Sequence, residues 1–314
     1  VTDVGLSVVV PAVNEAESLP QLNQELVTAL QDMGISWEII YVDDGSRDGT
    51  DEVIARLAAA DPRVRGVSFR RNFGKSAALA VGFQLARGAL VATMDADLQD
   101  DPAELPSLVQ ALDGGLDLVS GWKRERQDPW TKRVPSRLFN AVTSSVAGLR
   151  LHDFNCGLKV YRREVTESLE IYGELHRFLP ALAHWQGFRV GELPVKHRPR
   201  RFGRSKFGAS RFVNGFLDLM SAAFISTSAL KPLHVFGRVG LAFFLVGGGV
   251  GLWFIGLWIA GEPIRVRPLM LFGAGLVLLG VQFVLMGLLG EMIAHLGARA
   301  DYPLRRRYNM DGRP

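Results

Sequence analysis

Apolar positions recur along this chain in two ways, and the change between them divides it. Through about residue 210, short apolar runs rich in β-branched residues alternate with longer stretches in which apolar positions return every three or four residues. Leu6 to Pro11 (LSVVVP), Trp37 to Val42, Val64 to Phe69 and Leu90 to Met94 read as buried strands. Asn14 to Met33, Asp51 to Ala60 and Lys75 to Ala86 carry helical periodicity. Strands alternating with helices predict an α/β fold, a mostly parallel sheet with helices on both faces. Such sheets bind ligands at the carboxyl ends of their strands. The polar clusters fall there: Asn14 and Glu15, Asp43 and Asp44, Asn72 to Lys75, then Asp95 and Asp97.

Beyond Val239 the polar face disappears. Val239 to Gly261 and Pro268 to Gly290 contain no charged residue, and each is long enough as a helix to cross a hydrocarbon core of roughly 30 Å. Buried core helices are the alternative, but those usually keep a polar face. Only Glu262 to Arg267 separates the two, so they predict a hairpin with both chain ends on one side. That side carries Lys231, Arg238, Arg299, Arg305, Arg306 and Arg307, which places it in the cytoplasm. Phe212, Phe216, Leu219, Met220 and Ala223 share one face of a stretch ending near Leu230, which reads as an amphipathic helix in the membrane interface or packed on the preceding domain. The expected organisation is a cytoplasmic domain at 1–210, an interfacial helix region at 211–234, two transmembrane helices within 235–293, and a basic cytoplasmic tail at 294–314. The Gly-rich spans leave self-association into a homo-oligomer open.

Composition adds little. Charged residues make up 22% and hydrophobic ones 48% of 314 residues, as in ordinary globular chains, and the net charge is +4. That excess suits anionic lipid or a phosphorylated substrate, and no nucleic-acid partner is expected. The single cysteine, Cys156, excludes an internal disulfide and a cysteine zinc cluster, and it reads as a small core residue. His152, His184 and His197 lack metal-ligand spacing. The N-terminal stretch lacks the basic and apolar regions of a signal peptide.

The chemistry lies in the carboxylates and cations. Asp95-Ala96-Asp97 directly follows an apolar strand, where both acids can turn toward one ion. Hard oxygen ligands suit Mg²⁺ or Mn²⁺, and Gln99 adds an amide oxygen. The alternative is a helix start, with Asp100, Asp101 and Pro102 close behind. Asp43-Asp44-Gly45-Ser46 opens a turn, yet two acids exceed what a turn needs, and a carboxylate there can accept from a base or a ribose. Cations crowd Lys123 to Arg137 and Lys196 to Lys206, enough to bring two polyanions together.

PAVNEAESL, VDDGSRDGT, RNFGKSAAL, MDADLQDDP, HDFNCGLKVYRR and RPRRFGRSKF, in this order, resemble the motif series of family 2 glycosyltransferases. Within that family they are similar to dolichol-phosphate mannose synthases and bacterial polyprenyl-phosphate (undecaprenyl-phosphate) glucosyltransferases, and the two-span hairpin resembles the latter. Val13 stands where Tyr is frequent, Lys123 where Arg is, and the Gln-x-x-Arg-Trp motif of processive synthases is absent. The resemblance implies a GT-A nucleotide-diphospho-sugar transferase domain that moves a hexose from a UDP- or GDP-linked sugar to a polyprenyl phosphate with inversion. It implies a nucleotide and cofactor site of Pro11, Ala12, Asn14, Glu15, Asp43, Asp44, Lys75, Asp95, Ala96 and Asp97, and a metal held by Asp95, Asp97 and Gln99. Arg126, Lys132, Arg133 and Ser136 would meet the acceptor phosphate, and Arg200, Ser205 and Lys206 the donor diphosphate. Asp153 would sit near the acceptor and the anomeric carbon. Competing readings are transfer to a glycan or glycerolipid, and a membrane-anchored binding protein that retains an inactive transferase fold. The intact acid pair and basic segment argue against the last.

Overall fold

The four apolar runs are strands. β1 (Leu6–Ala12), β2 (Trp37–Asp43), β3 (Val64–Phe69) and β4 (Leu90–Thr93) pair in parallel, with β1 between β2 and β4. The structure is a computed structural model that describes residues 4–124, 140–141, 143–198, 232–261, 267–295 and 304–308. Helices α1 (Leu19–Asp32), α2 (Thr50–Ala60) and α3 (Lys75–Leu85) connect the four strands. Alternation sorts the strand residues onto two cores. Val9, Ile40, Val42 and Val91 face α3, while Val8, Val10, Ile39 and Tyr41 pack with α1 and α2 on the other face. Leu19, Leu22, Leu26 and Leu30 of α1 are fully buried, each stabilising the fold by about 1.5–3 kcal/mol.

Helix α1 begins later than its periodicity predicts. Asn14 adopts a left-handed φ of 55°, and Ser18 bonds back to Glu15, so 13–18 form a loop before the helix starts.

After β4 the sheet grows outward. α4 (Leu105–Asp113) leads to β5 (Leu118–Lys123), followed by β6 (Lys159–Arg162), α5 (Arg163–Ser168), α6 (Leu179–Trp185) and β7 (Val190–Val195). β6 runs antiparallel between β4 and β5, and β7 pairs parallel to β5. The expected mostly parallel, doubly covered sheet is therefore present, with antiparallel exceptions.

One exception lies in the segment expected as a basic tail. Leu304–Tyr308 forms β8, antiparallel to β3, so the eight-stranded order is β7-β5-β6-β4-β1-β2-β3-β8. Without β8 the outer backbone groups of β3 would form an open sheet edge, and such edges favour pairing with a further strand.

Residues 223–300 form a separate compact unit. It holds α7 (Pro232–Ile259) and α8 (Pro268–His295), which contain the stretches Val235–Ile259 and Pro268–Gly290, long and apolar enough to cross a membrane. Glycines bring these helices into backbone contact. A Cβ on Gly247 would stand 2.5 Å from the Gly273 carbonyl oxygen. The expected amphipathic stretch from Phe212 to Leu230 lies outside the described residues.

Candidate active site

β1 is where the winding of the sheet reverses, because β2 and β3 lie to one side of it and β4 to the other. The loops after β1 and β4 separate at that point, and a crevice opens between them. It is lined by Pro11, Lys75, Thr93, Asp95, Lys159 and His176, among others.

On the β2 side the loops are stitched together by neutral hydrogen bonds. The Asn14 amide N–H donates to Ser46 Oγ at 2.8 Å, Arg47 N–H to Asn14 Oδ1 at 3.0 Å, and Glu15 N–H to Thr50 Oγ1 at 2.9 Å. Asp43 and Asp44 are both buried. Asp43 accepts from the Ser46 backbone at 3.0 Å, the Ser46 hydroxyl, and Ser68 Oγ at 2.7 Å. Asp44 accepts from Phe73 N–H at 2.7 Å and Gly74 N–H at 2.9 Å, fixing the start of α3. Burial raises the Asp44 pKa in spite of these two donors. Both acids thus brace the wall at which the nucleotide was expected.

On the β4 side the partners are ammonium groups. Lys75, the first residue of α3, pairs with the Asp95 carboxylate. Lys123 at the end of β5 lies 3.1 Å from buried Asp100, and Lys159 of β6 donates to the Cys156 carbonyl. Burial alone would raise the Asp95 pKa. Lys75, Lys123 and Lys159 outweigh it and hold the carboxyl at about 2. Burial depresses the Lys159 ammonium, whereas for Lys123 the surrounding acids overcome burial and raise it. His176 is bonded through Nδ1 to Ser76 Oγ at 3.0 Å, and burial followed by the charge of Lys75 lowers its pKa to about 2, so its ring is neutral. Cys156 is a buried thiol with its pKa pushed up to about 12, chiefly by desolvation, as its reading as a core residue requires.

The donor set around Asp95 suits a hard cation. Asp97 Oδ1 accepts from Gln99 N–H at 3.2 Å, around Leu98, which holds a left-handed φ of 60° although its side chain is buried. A non-glycine residue in that region is strained, and strain of this kind concentrates at functional turns. Gly157 leaves the space these acids need. A Cβ there would lie 2.6 Å from the Asp95 carboxylate and 2.8 Å from Asp100 Oδ2. Among the described residues no three of His, Cys, Asp and Glu form a ready cage. An ion at Asp95 and Asp97 would share its coordination with substrate phosphates, a common arrangement for Mg²⁺.

Asp153 is buried, and its Oδ1 accepts from Asn155 N–H at 3.1 Å. Asp101, and not Asp100, caps the following turn by accepting from Ala103 N–H at 3.1 Å. The root of the basic segment lies against the acid loop. Arg198 N–H donates to Gln99 O at 2.9 Å, and its guanidinium reaches Glu25 at 2.5 Å and Asp101 at 2.9 Å. Arg126, Lys132, Arg133, Ser136, Arg200, Ser205 and Lys206 lie outside the described residues. Lys159, Asn155 and His176 were not singled out from sequence. A lysine placed directly before the apolar pair Val160 and Tyr161 of β6 was the available signal for the first.

Comparisons with known proteins identify the family of the chain. Residues 7–170 match the model of glycosyl transferase family 2, and residues 231–296 match the GtrB C-terminal hairpin. A dodecaprenyl-phosphate galacturonate synthase of Rhizobium johnstonii is 38% identical over 306 residues, covering 94% of this chain and 89% of the relative. An undecaprenyl-phosphate 4-deoxy-4-formamido-L-arabinose transferase of Edwardsiella ictaluri is 38% identical over 309 residues, covering 96% and 92%. Glucosyl-3-phosphoglycerate synthase of Mycobacterium tuberculosis, solved with Mn²⁺, UDP-glucose and phosphoglyceric acid, superposes with a TM-score of 0.57 at 21% identity, covering 72% of this chain and 82% of that one. That last likeness establishes a shared GT-A fold. With a domain match across more than half the chain and relatives aligned nearly end to end, the chain belongs to glycosyl transferase family 2.

Proposed function

We propose that this protein transfers a hexose or hexose-derived sugar from a nucleotide-diphospho-sugar to a polyprenyl phosphate, with inversion and the help of a divalent cation. The observation that carries the proposal is the pair of relatives named for dodecaprenyl- and undecaprenyl-phosphate sugar products, whose likeness runs through both the catalytic domain and the hairpin. In this reading Pro11, Ala12, Asn14, Glu15, Asp43 and Asp44 form the nucleotide wall. Asp95 and Asp97, with the Gln99 amide, would hold Mg²⁺ or Mn²⁺, which when bound neutralises charge on the donor diphosphate. Lys75 stands beside Asp95 and supplies a further positive charge to the leaving group. Arg198 roots the basic segment at Gln99, which supports Arg200, Ser205 and Lys206 as diphosphate contacts. Arg126, Lys132, Arg133 and Ser136 receive the acceptor phosphate.

The reaction needs little proton transfer. An oxygen of the lipid phosphate, already ionised at neutral pH, attacks the anomeric carbon. The bond from that carbon to the β-phosphate oxygen breaks, its electron pair leaves with the nucleoside diphosphate, and the configuration inverts. Asp153 orients the acceptor and is not required as a strong base.

The lipid acceptor also gives the hairpin a purpose. Its two ends lead from and back to the catalytic unit, because the chain returns from α8 to β8 in the same sheet. This supports a catalytic domain on one side of the membrane, and the cations flanking the spans favour the cytoplasmic face of a bacterial cell membrane. The test supplies the full chain in detergent with undecaprenyl phosphate, Mn²⁺ or Mg²⁺, and radiolabelled UDP- and GDP-sugars that include uronic acid and formamido-sugar donors. One donor should yield labelled lipid, and chelator should stop it. Transfer only to a glycan or glycerolipid would overturn the acceptor assignment.

A further inference from the structure

Outside the crevice, a heavily constrained surface residue immediately precedes Asp153. His152 has its side chain 64% exposed, yet nearly every polar group it owns is engaged. Its backbone N–H donates to Glu192 Oε2 at 2.8 Å, and its ring Nδ1 pairs with the other oxygen of the same carboxylate. Its carbonyl accepts from Asn140 Nδ2 at 2.6 Å. Its ring stacks on Trp122, with centroids 4.1 Å apart and planes 18° from parallel. Glu192 belongs to β7 and Trp122 to β5, two strands held in parallel register.

Beyond Asp153 the loop is held again. Lys159 bonds the Cys156 carbonyl, and Thr93 Oγ1 donates to the Gly157 carbonyl at 2.8 Å. The far side of the loop is thereby fixed to β4 and β6, the strands beneath the crevice. The near side is held to β5 and β7 through His152. An exposed ion pair contributes little to stability in general. A carboxylate that grips both the main chain and the ring of one residue instead restricts where the next residue can point, because consecutive Cα atoms are tied at a fixed distance.

We propose that the Glu192–His152–Trp122 clamp is a positioning device for Asp153, which sets the direction of its carboxylate toward the acceptor phosphate. The proposal rests on the acceptor-side role given to Asp153 above. It assigns His152 and Glu192 to the acceptor half of the reaction, with no part in holding the nucleotide. Preorganised groups lose large factors in rate from small displacements, so the effect of the clamp should exceed that of an ordinary surface contact.

The experiment compares His152→Ala, His152→Asn, Glu192→Gln and Asp153→Asn, and the double variant His152→Ala/Asp153→Asn, in the full chain. Turnover is measured against undecaprenyl phosphate with the donor that gives the highest rate. Binding of UDP or GDP with Mn²⁺ serves as the control for an intact fold. His152→Ala should lower kcat/KM for the lipid by about 10- to 100-fold while nucleotide affinity stays within about twofold. His152→Asn, which keeps a side-chain N–H for Glu192, should recover part of the loss, and Glu192→Gln should lie between. In the double variant the His152 change should add less than about twofold to the effect of Asp153→Asn, because residues acting through one another are not additive. Single variants at wild-type rate, or full multiplication of the two effects, would overturn the clamp while leaving the proposed function standing. If Asp153→Asn itself transfers at the wild-type rate, the role given to Asp153 fails and the clamp falls with it.

Discussion

The two sides of the crevice use the same residue type for opposite ends. On the β2 side, Asp43 and Asp44 are satisfied by hydroxyls and backbone N–H groups. On the β4 side, Asp95 and Asp100 face the ammonium groups of Lys75 and Lys123. A carboxylate held by neutral hydroxyl and backbone N–H donors is fixed in place, so it serves as a brace. An ammonium on a flexible stem can leave its partner when a metal ion or a diphosphate offers a better one. The first arrangement builds a wall, and the second is open to exchange with substrate.

The sharpest test of that contrast is Asp95→Asn. It should lower turnover by about 10²- to 10³-fold, the loss expected on removing one electrostatic contact from a preorganised site. The depressed carboxyl also contributes to stability at neutral pH, so turnover is compared per folded molecule, and its fall should far exceed the fall in folded fraction read by urea unfolding. Turnover that falls only in step with the folded fraction would make Asp95 a brace as well and erase the distinction.

Asp43→Ala should do the reverse. It strips an acceptor from the buried Ser46 and Ser68 hydroxyls, at about 1–3 kcal/mol for each group left unsatisfied. Urea unfolding should report the loss, and nucleotide affinity should decline only as the folded fraction does. Unchanged stability with lost nucleotide binding would show that Asp43 contacts the ligand directly.

Gly157→Ala falls between the two. The new methyl would press on the carboxylates of Asp95 and Asp100, and overpacking of this kind costs about 1–3 kcal/mol. Because both acids belong to the exchangeable side, Mn²⁺ affinity should weaken together with turnover. Metal affinity equal to wild type would place the Asp95 carboxylate away from the ion.

The scaffold was legible because it is local. Strand runs, helical periodicity and polar strand ends all follow from neighbours in sequence, and β3 begins and ends at the residues its pattern predicts. The acid pair Asp95 and Asp97 was legible for the same reason. The lysines that neutralise the acids were harder to assign, since Lys123 and Lys159 come near Asp95 only after β6 inserts antiparallel between β4 and β5. No local signal specifies that insertion. Leu98 is a similar case, because a leucine gives no hint of left-handed backbone. β8 escaped notice because Leu-Arg-Arg-Arg-Tyr reads as a charged tail, and only the open edge of β3 makes it a strand.

The smallest effect belongs to Asp48, which probes whether the braced side ends at the buried acids. Asp48 is exposed, and it accepts from Thr50 N–H at 3.1 Å, Thr50 Oγ1 at 2.6 Å and Ala16 N–H at 3.1 Å, so it ties the loop after β2 to the loop after β1. Desolvation pushes its pKa up, but the bonds from Thr50 and Ala16 outweigh it and the folded value is lowered. A carboxyl depressed on folding contributes stability above its unfolded pKa of about 3.9 and loses it as the pH falls through the folded value. Asp48→Ala should therefore destabilise by about 0.5–1 kcal/mol at neutral pH, the range for a lost local cap, held low by solvent exposure. The difference from wild type in urea midpoint should be constant from pH 7 to about pH 5 and shrink below about pH 4. Turnover at neutral pH should follow the folded fraction. A variant that is as stable as wild type yet at least about tenfold slower would place Asp48 among the residues that contact substrate, and the β2 side could no longer be described as wall alone.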